Sequence, residues 1–133
     1  MSEPLWQPTD DQISQSNMAA FMAAVAGGWK VDISDTDALY RFSITEREKF
    51  WQSVIDFAGI TAETWGPEGG ETVLADGDRM PGAKWFPEAK LNFAENMLKR
   101  RSKDEAMVFW GEDKVKRRLT HRELYTQVSV QAQ

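Results

Sequence analysis

Apolar residues recur at helical spacing near the start of the chain. Thr9 and Gln12 have the spacing of a capping box, and five apolar residues then fall on one helical face: Ile13, Ala20, Phe21, Ala24 and Val25. Gly27 and Gly28 follow and favour the end of the helix. The pattern predicts one amphipathic helix of about four turns. Its polar face is acidic or neutral, which favours packing on its own domain over binding to a membrane surface.

A second helical pattern carries the most aromatic face of the chain. Ser43 and Glu46 have the spacing of a helix start, and Gly59 has the position of a helix stop. Between them, apolar residues line one side: Phe50, Trp51, Val54, Ile55 and Ala58. An aromatic stripe of this kind is typical of a packed core, so we predict a helix that packs through it.

Shorter elements connect these two helices. Residues 29–33 alternate apolar with polar, which is typical of a short strand. Asp35-Thr36-Asp37 predicts a turn into a short helical piece that carries Leu39, Tyr40 and Phe42. We therefore expect one strand and one short helix before the aromatic helix.

From residue 60 to residue 84 the periodicity disappears, and glycine and proline punctuate the chain at Gly66-Pro67, Gly69-Gly70 and Pro81-Gly82. Loops of this length are uncommon in compact domains unless they are functional or lean on other structure. We expect the second explanation, with Val73 and Leu74 pinning the middle of the loop.

A rigid aromatic turn runs into a capped helix after this loop. Pro87 fixes its own φ and favours an extended Phe86, so the two aromatic residues Trp85 and Phe86 are expected to form a stiff, packed corner. Asn92 and Glu95 have the spacing of a capping box. A helix should therefore begin at the next residue and pack beside the two rings through Ala94, Met97 and Leu98.

The last part of the chain predicts a β-hairpin followed by a helix. Residues 106–110 are an apolar run, residues 111–114 have the composition of a turn, and residues 115–119 form the returning strand. Thr120 and Glu123 form another capping box and predict a final helix. The fold class is therefore α+β and predominantly helical, with four or five helices and a C-terminal β-hairpin.

Composition agrees with one folded domain. The chain has 133 residues, a hydrophobic fraction of 41%, six Trp and seven Phe, which argues against disorder. It has no Cys, so disulfides and thiolate-bound metals are excluded, and a reducing cytosol is compatible. The apolar run from Met18 to Ala26 has no basic residue before it, unlike a signal peptide. We therefore expect a cytoplasmic protein without a membrane segment.

Charge is distributed unevenly along the chain. Residues 1–98 hold seven basic against 16 acidic side chains, a net −9, whereas residues 99–133 hold nine against five, a net +4. The basic end invites a nucleic-acid hypothesis. However, acidic residues are interleaved with the bases and the pI is about 4.9, which opposes binding to a phosphate backbone. We predict solvated charges and no nucleic-acid partner.

Candidate catalytic residues are scarce. Chemistry on nucleotide phosphates needs a Gly-rich phosphate loop with a Lys and an acidic Mg²⁺ ligand, and the sequence contains no such loop. Asp76 and Asp78 lie in the loop without apolar neighbours, and His121 is the single histidine, without a partner at a suitable spacing. We predict no catalytic, cofactor-binding or metal-binding residue in this chain.

Several motifs resemble the acetoacetyl-CoA synthetases, the acetoacetate-activating branch of the adenylate-forming acyl-CoA ligases. Three stretches carry the resemblance: residues 4–8 (PLWQP), residues 39–43 (LYRFS) with Phe50 and Trp51, and residues 80–96, where MPGA precedes WFPEAKLNFAEN. The FAEN ending resembles the acetoacetate branch more than acetyl-CoA synthetases, which have a similar Trp-Phe and Leu-Asn pair. We take nine residues as the structural signature: Phe50, Trp51, Trp85, Phe86, Pro87, Leu91, Asn92, Glu95 and Asn96.

The resemblance implies that this chain is an N-terminal segment of a longer ligase. Residues 1–105 would be the helical region of acetyl-CoA synthetase type, and residues 106–133 would begin the AMP-binding domain. The apolar pattern of the final helix has no stop signal before Gln133. The parent would use ATP with Mg²⁺ and CoA to make acetoacetyl-CoA, and its adenylating domain would be the segment's partner. The segment itself is expected to be structural and to bind no cofactor.

Two alternatives stay open at this stage. One is a segment of an acetyl- or propionyl-CoA synthetase, because the acyl pocket lies outside these residues. The other is a free-standing interaction module without catalysis. In either case the hairpin leaves apolar side chains and strand edges to be covered, so self-association of the chain is expected.

Overall fold

The computed structural model describes residues 5–67 and 72–132. Within these ranges the helices are α1 (Asp10–Ser14), α2 (Asn17–Trp29), α3 (Thr36–Thr45), α4 (Arg47–Ala58), α5 (Phe93–Leu98) and α6 (His121–Gln131). The strands are β1 (Leu74–Ala75), β2 (Lys84–Trp85), β3 (Glu105–Trp110) and β4 (Lys116–Thr120). Strands β1 and β2 form one antiparallel sheet, and β3 and β4 form another. The predicted class, a predominantly helical α+β fold, is confirmed.

The chain divides into two compact units. The first contains the residues up to Ile60 together with Trp65–Glu88, and the second contains Thr61–Thr64 together with the residues from Ala89 onward. The predicted boundary between residues 1–105 and 106–133 concerns the domains of a longer protein and stays a prediction.

The core of the first unit is small and lies between α2 and α3. Four residues are buried: Val25, Ile33, Leu39 and Phe42. Partly buried side chains pack around them, and Phe50 is the contribution of α4. The predicted aromatic face of α4 therefore borders the core, and no residue of that helix is fully buried.

The first predicted helix is two helices in the structure. Thr9 and Gln12 form the predicted capping box, but Ser16 accepts a hydrogen bond from the Ala19 amide at 3.1 Å and starts α2. A second side-chain cap in one apolar stretch ends the first helix early, because a capping side chain satisfies the amides of the helix that follows it. This break gives six helices in the described ranges where four or five were expected.

Two predictions at the end of α2 are wrong. The helix continues through Gly27 and Gly28 to Trp29, and residues 31–34 form no strand. The Trp29 indole Nε1 donates to Ser53 Oγ of α4 at 2.8 Å, which holds the last turn in place. This tertiary contact offsets the helix penalty of about 1 kcal/mol per glycine. Val31 and Ile33 alternate because they pack at the core.

The start of α4 also differs from its prediction. Ser43 lies inside α3, where its hydroxyl donates to the Tyr40 carbonyl at 2.7 Å. Glu46 joins the two helices, and α4 begins at Arg47 without a side-chain cap. Gly59 ends α4 in the left-handed conformation, with φ of 61°, as predicted.

The long loop contains a minimal sheet that was not predicted. Leu74 pairs with Trp85, and the Val73 carbonyl accepts from the Phe86 amide at 2.9 Å. The expectation that Val73 and Leu74 pin the loop is therefore confirmed. Gly69-Gly70, part of the predicted loop punctuation, lies outside the described residues.

The second unit contains the predicted hairpin and its helices. Met107 pairs with Leu119, Phe109 pairs with Arg117, and the register shifts between Glu105 and Met107. Helix α6 begins with the predicted capping box. The carbonyls of Asp104 and Ser102 accept from the first two amides of α6 at 3.1 Å each, so the start of this helix is satisfied by the chain before β3.

Candidate functional site

Three of the four aromatic signature residues, Phe50, Trp51 and Trp85, belong to one line of contacting rings in the first unit. Ring centroids are 5.2 Å apart for Phe57 and Phe21, 5.8 Å for Phe21 and Phe50, and 5.5 Å for Phe50 and Trp51. Trp51 then meets Trp85 at 5.5 Å. Aromatic pairs at such distances contribute about 0.5–1.5 kcal/mol each beyond their buried area. We call these five rings the aromatic line.

The aromatic line brings together signature residues from distant parts of the sequence. Phe50 and Trp51 lie on α4, and Trp85 lies on β2. Trp51 is 42% exposed and Trp85 is 41% exposed, so the outer end of the line is half in solvent. The Trp85 ring contacts Trp51, and it is only partly buried.

Phe86 has a conformation opposite to the predicted one. Its φ is 45°, in the left-handed region that non-glycine residues rarely adopt, whereas Pro87 favours an extended neighbour. Two contacts hold it there: its amide donates to Val73, and its ring lies 5.7 Å from the Trp65 ring. A residue held in this region costs about 1–3 kcal/mol, which the surrounding contacts must offset.

The polar signature residues lie in the second unit, at the start of α5. The Asn92 side chain accepts from the Glu95 amide at 3.2 Å, and the helix begins at Phe93 as predicted. The return bond of a capping box, from the Asn92 amide to the Glu95 carboxylate, is not formed. Asn92 is therefore a simple N-cap.

Asn96 makes the most hydrogen bonds of the nine signature residues. Its Oδ1 accepts from the Thr61 amide at 2.8 Å and from the Thr61 hydroxyl at 3.2 Å. Its Nδ2 donates to the Thr61 carbonyl at 2.8 Å and to the Asn92 carbonyl at 3.1 Å. Asn96 therefore joins α5 to the separate segment Thr61–Thr64, and we call this arrangement the Asn96 clamp.

The remaining signature residues have less specific surroundings. Pro87 is exposed next to Phe86, and Leu91 is 49% exposed. Neighbouring backbone bonds join Glu63 and Thr64 to Lys90, which continues the attachment made by the Asn96 clamp.

The two loop aspartates, Asp76 and Asp78, form ion pairs with different arginines. Asp78 lies 2.9 Å from the Arg47 guanidinium, which also donates to the Gly77 carbonyl, and Asp76 lies 3.9 Å from Arg79. Throughout residues 5–67 and 72–132, no group of three His, Cys, Asp or Glu side chains could hold a metal ion.

Two side chains with lowered pKa values, Glu123 and Tyr125, lie on α6. Hydrogen bonds from the amide and the hydroxyl of Thr120, at 2.8 Å and 2.9 Å, lower the pKa of Glu123. A hydrogen bond with Ser129 and the nearby Arg101 guanidinium lower the pKa of Tyr125. Arg101 also lies 3.1 Å from the centroid of the Tyr125 ring, a cation–π contact that orients the two side chains. Both shifts follow from local structure at the start and middle of the helix.

Comparison with known proteins shows what the chain is similar to. Residues 36–97 match the family model described as the acetyl-coenzyme A synthetase N-terminus, and all nine signature residues fall within that range. An acetoacetyl-coenzyme A synthetase of Rhizobium meliloti is 41% identical over 126 residues, which cover 95% of this chain and 19% of that protein. Over almost its whole length the chain is therefore similar to the N-terminal part of an acetoacetyl-CoA synthetase.

A solved structure shows the same similarity. The structure of an acetoacetyl-CoA synthetase from Streptomyces lividans matches with a TM-score of 0.80 and 33% identity, over 96% of this chain and 20% of that one. A malonamoyl-CoA synthetase of Penicillium aethiopicum is 32% identical over 96 residues, which cover 72% of this chain and 13% of that protein. The chain spans about a fifth of the length of the first relatives it matches.

Sequence reasoning missed several residues that position the signature residues. Phe21 and Phe57 extend the aromatic line, and Trp65 supports Phe86. Thr61 is the partner in the Asn96 clamp, 35 residues away in sequence. The only sequence signal for these contacts was the high aromatic content, which does not identify pairs.

Proposed function

We propose that this chain is the N-terminal segment of an ATP-dependent acetoacetate–CoA ligase. In the whole protein, the acetoacetate carboxylate attacks the α-phosphate of ATP and releases pyrophosphate. The CoA thiol then attacks the acyl carbonyl of acetoacetyl-adenylate, which gives acetoacetyl-CoA and releases AMP. The observation that supports this most is 41% identity to the Rhizobium meliloti enzyme over 95% of the chain.

Within that ligase the segment has a structural task. Its signature residues are engaged in ring packing and hydrogen bonds within the segment, as the aromatic line and the Asn96 clamp show. The contacts of Phe50, Trp51, Trp85, Phe86, Asn92 and Asn96 support a role for these six signature residues as stability elements. We propose that the segment braces the adenylating domain, which supplies the ATP, Mg²⁺ and CoA sites.

The surroundings of the segment follow from the same proposal. Its partner is the remainder of the ligase, residues 106–133 begin the AMP-binding domain, and the location is the cytoplasm. The absence of Cys in the chain fits a reducing compartment. No helix in residues 5–67 and 72–132 has the length and hydrophobicity needed to cross a bilayer.

A ligase for another short acyl group is the second candidate. The matching family model is described by acetyl-coenzyme A synthetase, and one relative is named for malonamoyl-CoA. Related segments therefore occur in proteins named for different acyl groups, which supports an acyl pocket outside this segment.

A chimaera tests both parts of the proposal. Residues 1–133 replace the matching N-terminal part of the Rhizobium meliloti enzyme, and pyrophosphate exchange into ATP is measured with acetoacetate, acetate and propionate. We expect acetoacetate-dependent exchange in the chimaera and none above a no-protein control for the 133-residue chain alone.

The controls separate structure from chemistry. A chimaera that carries Asn96→Ala should lose thermal stability and keep its Michaelis constants for acetoacetate and CoA. A folded but inactive chimaera would contradict the family assignment, and turnover by the isolated chain would contradict the structural task.

A further inference from the structure

Residues 72–88 of the first unit are joined to each other by bonds of their own, and we call them the strap. Strands β1 and β2 pair within it, and the Phe86 amide extends this pairing by donating to the Val73 carbonyl at 2.9 Å. The Thr72 amide donates to the Glu88 carboxylate at 3.2 Å. The beginning of the strap therefore holds its end, and the turn between the two strands forms its tip.

One arginine of α4 holds the tip of the strap. Arg47 Nη1 donates to the Gly77 carbonyl at 2.8 Å, and Arg47 Nη2 donates to the Asp78 carboxylate at 2.9 Å. A guanidinium can make both bonds at once because its N–H groups are fixed in one plane. Arg47 is also the first residue of α4, where a positive charge is unfavourable to the helix dipole. Arg47 therefore stabilises the structure through the strap and not through its own helix.

The strap contains strained backbone when its tip is held. Asp76 and Phe86 have φ of 53° and 45°, in the left-handed region. Aspartate tolerates this region, whereas a phenylalanine rarely adopts it. The β1–β2 sheet has two residues per strand, and a two-stranded sheet is marginally stable unless it packs on other structure. Contacts with α4 must therefore offset the strain, and their loss favours a relaxed strap.

We propose that Arg47 is a latch, and that the strap opens from α4 as one unit while helices α2 to α4 stay folded. With the latch made, the Trp85 ring of the strap lies 5.5 Å from the Trp51 ring of α4, centroid to centroid. When the latch opens, the strained residues relax and this ring contact is lost. Arg47 is therefore the positioning residue for Trp85.

The composition of the core explains why the strap opens separately. Among the described residues, the buried core and the side chains packed against it come from residues 21–50, and none belongs to the strap. Opening therefore removes no core side chain, and local opening of this kind costs less free energy than global unfolding. This inference goes beyond the proposed function, because its contacts all lie within the first unit and it requires no activity.

Amide hydrogen exchange, measured by NMR on the 133-residue chain, tests the latch. The Phe86 amide reports on the strap, and the amides of α3 report on the core. In the unchanged chain, the Phe86 amide should exchange faster than the amides of α3, because strap opening requires no unfolding of the core. Arg47→Gln should accelerate exchange at Phe86 by about tenfold, the effect of losing two hydrogen bonds, and leave exchange in α3 unchanged.

Three further variants separate geometry from charge. Arg47→Lys keeps the charge but lacks the planar pair of donors, so it should accelerate exchange at Phe86 nearly as much as Arg47→Gln. Asp78→Asn keeps an oxygen acceptor and the bond to the Gly77 carbonyl, so its effect should be smaller. Arg79→Gln is the matched control, because Arg79 pairs with Asp76 inside the tip, at 3.9 Å, and should leave exchange at Phe86 unchanged.

The same measurements can overturn the proposal. Equal exchange rates at Phe86 and in α3 of the unchanged chain would show that the strap opens only when the core unfolds. If Arg47→Gln leaves exchange at Phe86 unchanged, or accelerates exchange in α3 as strongly, Arg47 is not a latch for the strap. Equal acceleration by Arg79→Gln would exclude the bonds to α4 as the cause.

Discussion

The aromatic line and the Asn96 clamp stabilise neighbouring parts of one sequence motif by different interactions. The Trp85 side chain acts in the first unit through ring packing, whereas the Asn96 side chain acts in the second unit through hydrogen bonds. Ring packing depends on buried area and tolerates a similar ring. The clamp depends on one donor and one acceptor in fixed positions. A single family signature therefore contains residues with different tolerance to substitution, and the following predictions test that difference.

The largest effect is expected for the core that supports the aromatic line. Phe42→Ala should lower the free energy of unfolding by about 3–5 kcal/mol, because Phe42 is 7% exposed and its removal leaves a cavity. Urea denaturation, monitored by amide exchange in α3, measures this change in the free energy of unfolding. Tyr40→Ala, at a residue 64% exposed on the same helix, is the control and should have a much smaller effect.

Trp85→Ala should have the next largest effect. Because the ring is 41% exposed, we expect a loss of about 2–3 kcal/mol, below the range for a fully buried ring. Trp85→Phe keeps an aromatic contact with Trp51 and should recover most of the stability. If Trp85→Phe loses as much stability as Trp85→Ala, Trp85 does not stabilise the fold through ring packing.

Asn96→Ala should lower stability by about 1–2 kcal/mol, because the exposed Thr61 groups can bond to water after the clamp is lost. Asn96→Asp is the informative comparison. It keeps an acceptor for the Thr61 amide and removes the Nδ2 donor to the Thr61 carbonyl. Amide exchange at Thr61 should therefore be slower in the Asp variant than in the Ala variant. Equal exchange in both would contradict the clamp.

The smallest effect concerns the capping boxes. The folded-state pKa of Glu123 lies below its ordinary value of 4.5. The charged carboxylate therefore stabilises the fold above the unfolded pKa, and this stabilisation is lost as the pH falls through the folded pKa. Amide exchange at the start of α6 should accelerate with that loss, after correction for intrinsic exchange. Glu123→Gln is the control, because it gives α6 the uncharged Thr–Gln box seen at Thr9 and Gln12. The same pH dependence in this variant would exclude Glu123 as the cause.

Local signals in the sequence predicted much of this fold. The caps at Thr9, Asn92 and Thr120 were found because a cap is decided by residues within one helical turn. The β3–β4 hairpin was found because its strands are adjacent in sequence and separated by a turn.

The errors arose where distant contacts decide the outcome. Trp29 continues α2 past two glycines because Ser53 accepts its indole proton from 24 residues away. Phe86 keeps a positive φ because of Val73 and Trp65. The β1–β2 sheet has two residues per strand, which is too short for a periodic pattern. The roles of the signature residues were likewise invisible, since each depends on a partner that sequence spacing does not reveal.

The contact between Trp51 and Trp85 has an optical consequence. Two indoles at 5.5 Å couple their electronic transitions, and such coupling gives paired circular-dichroism bands of opposite sign. Trp51 lies on α4 and Trp85 on β2, so the bands appear only when the long loop has closed onto that helix. The chain therefore carries a built-in spectroscopic reporter of loop closure in its first unit, readable without any attached dye.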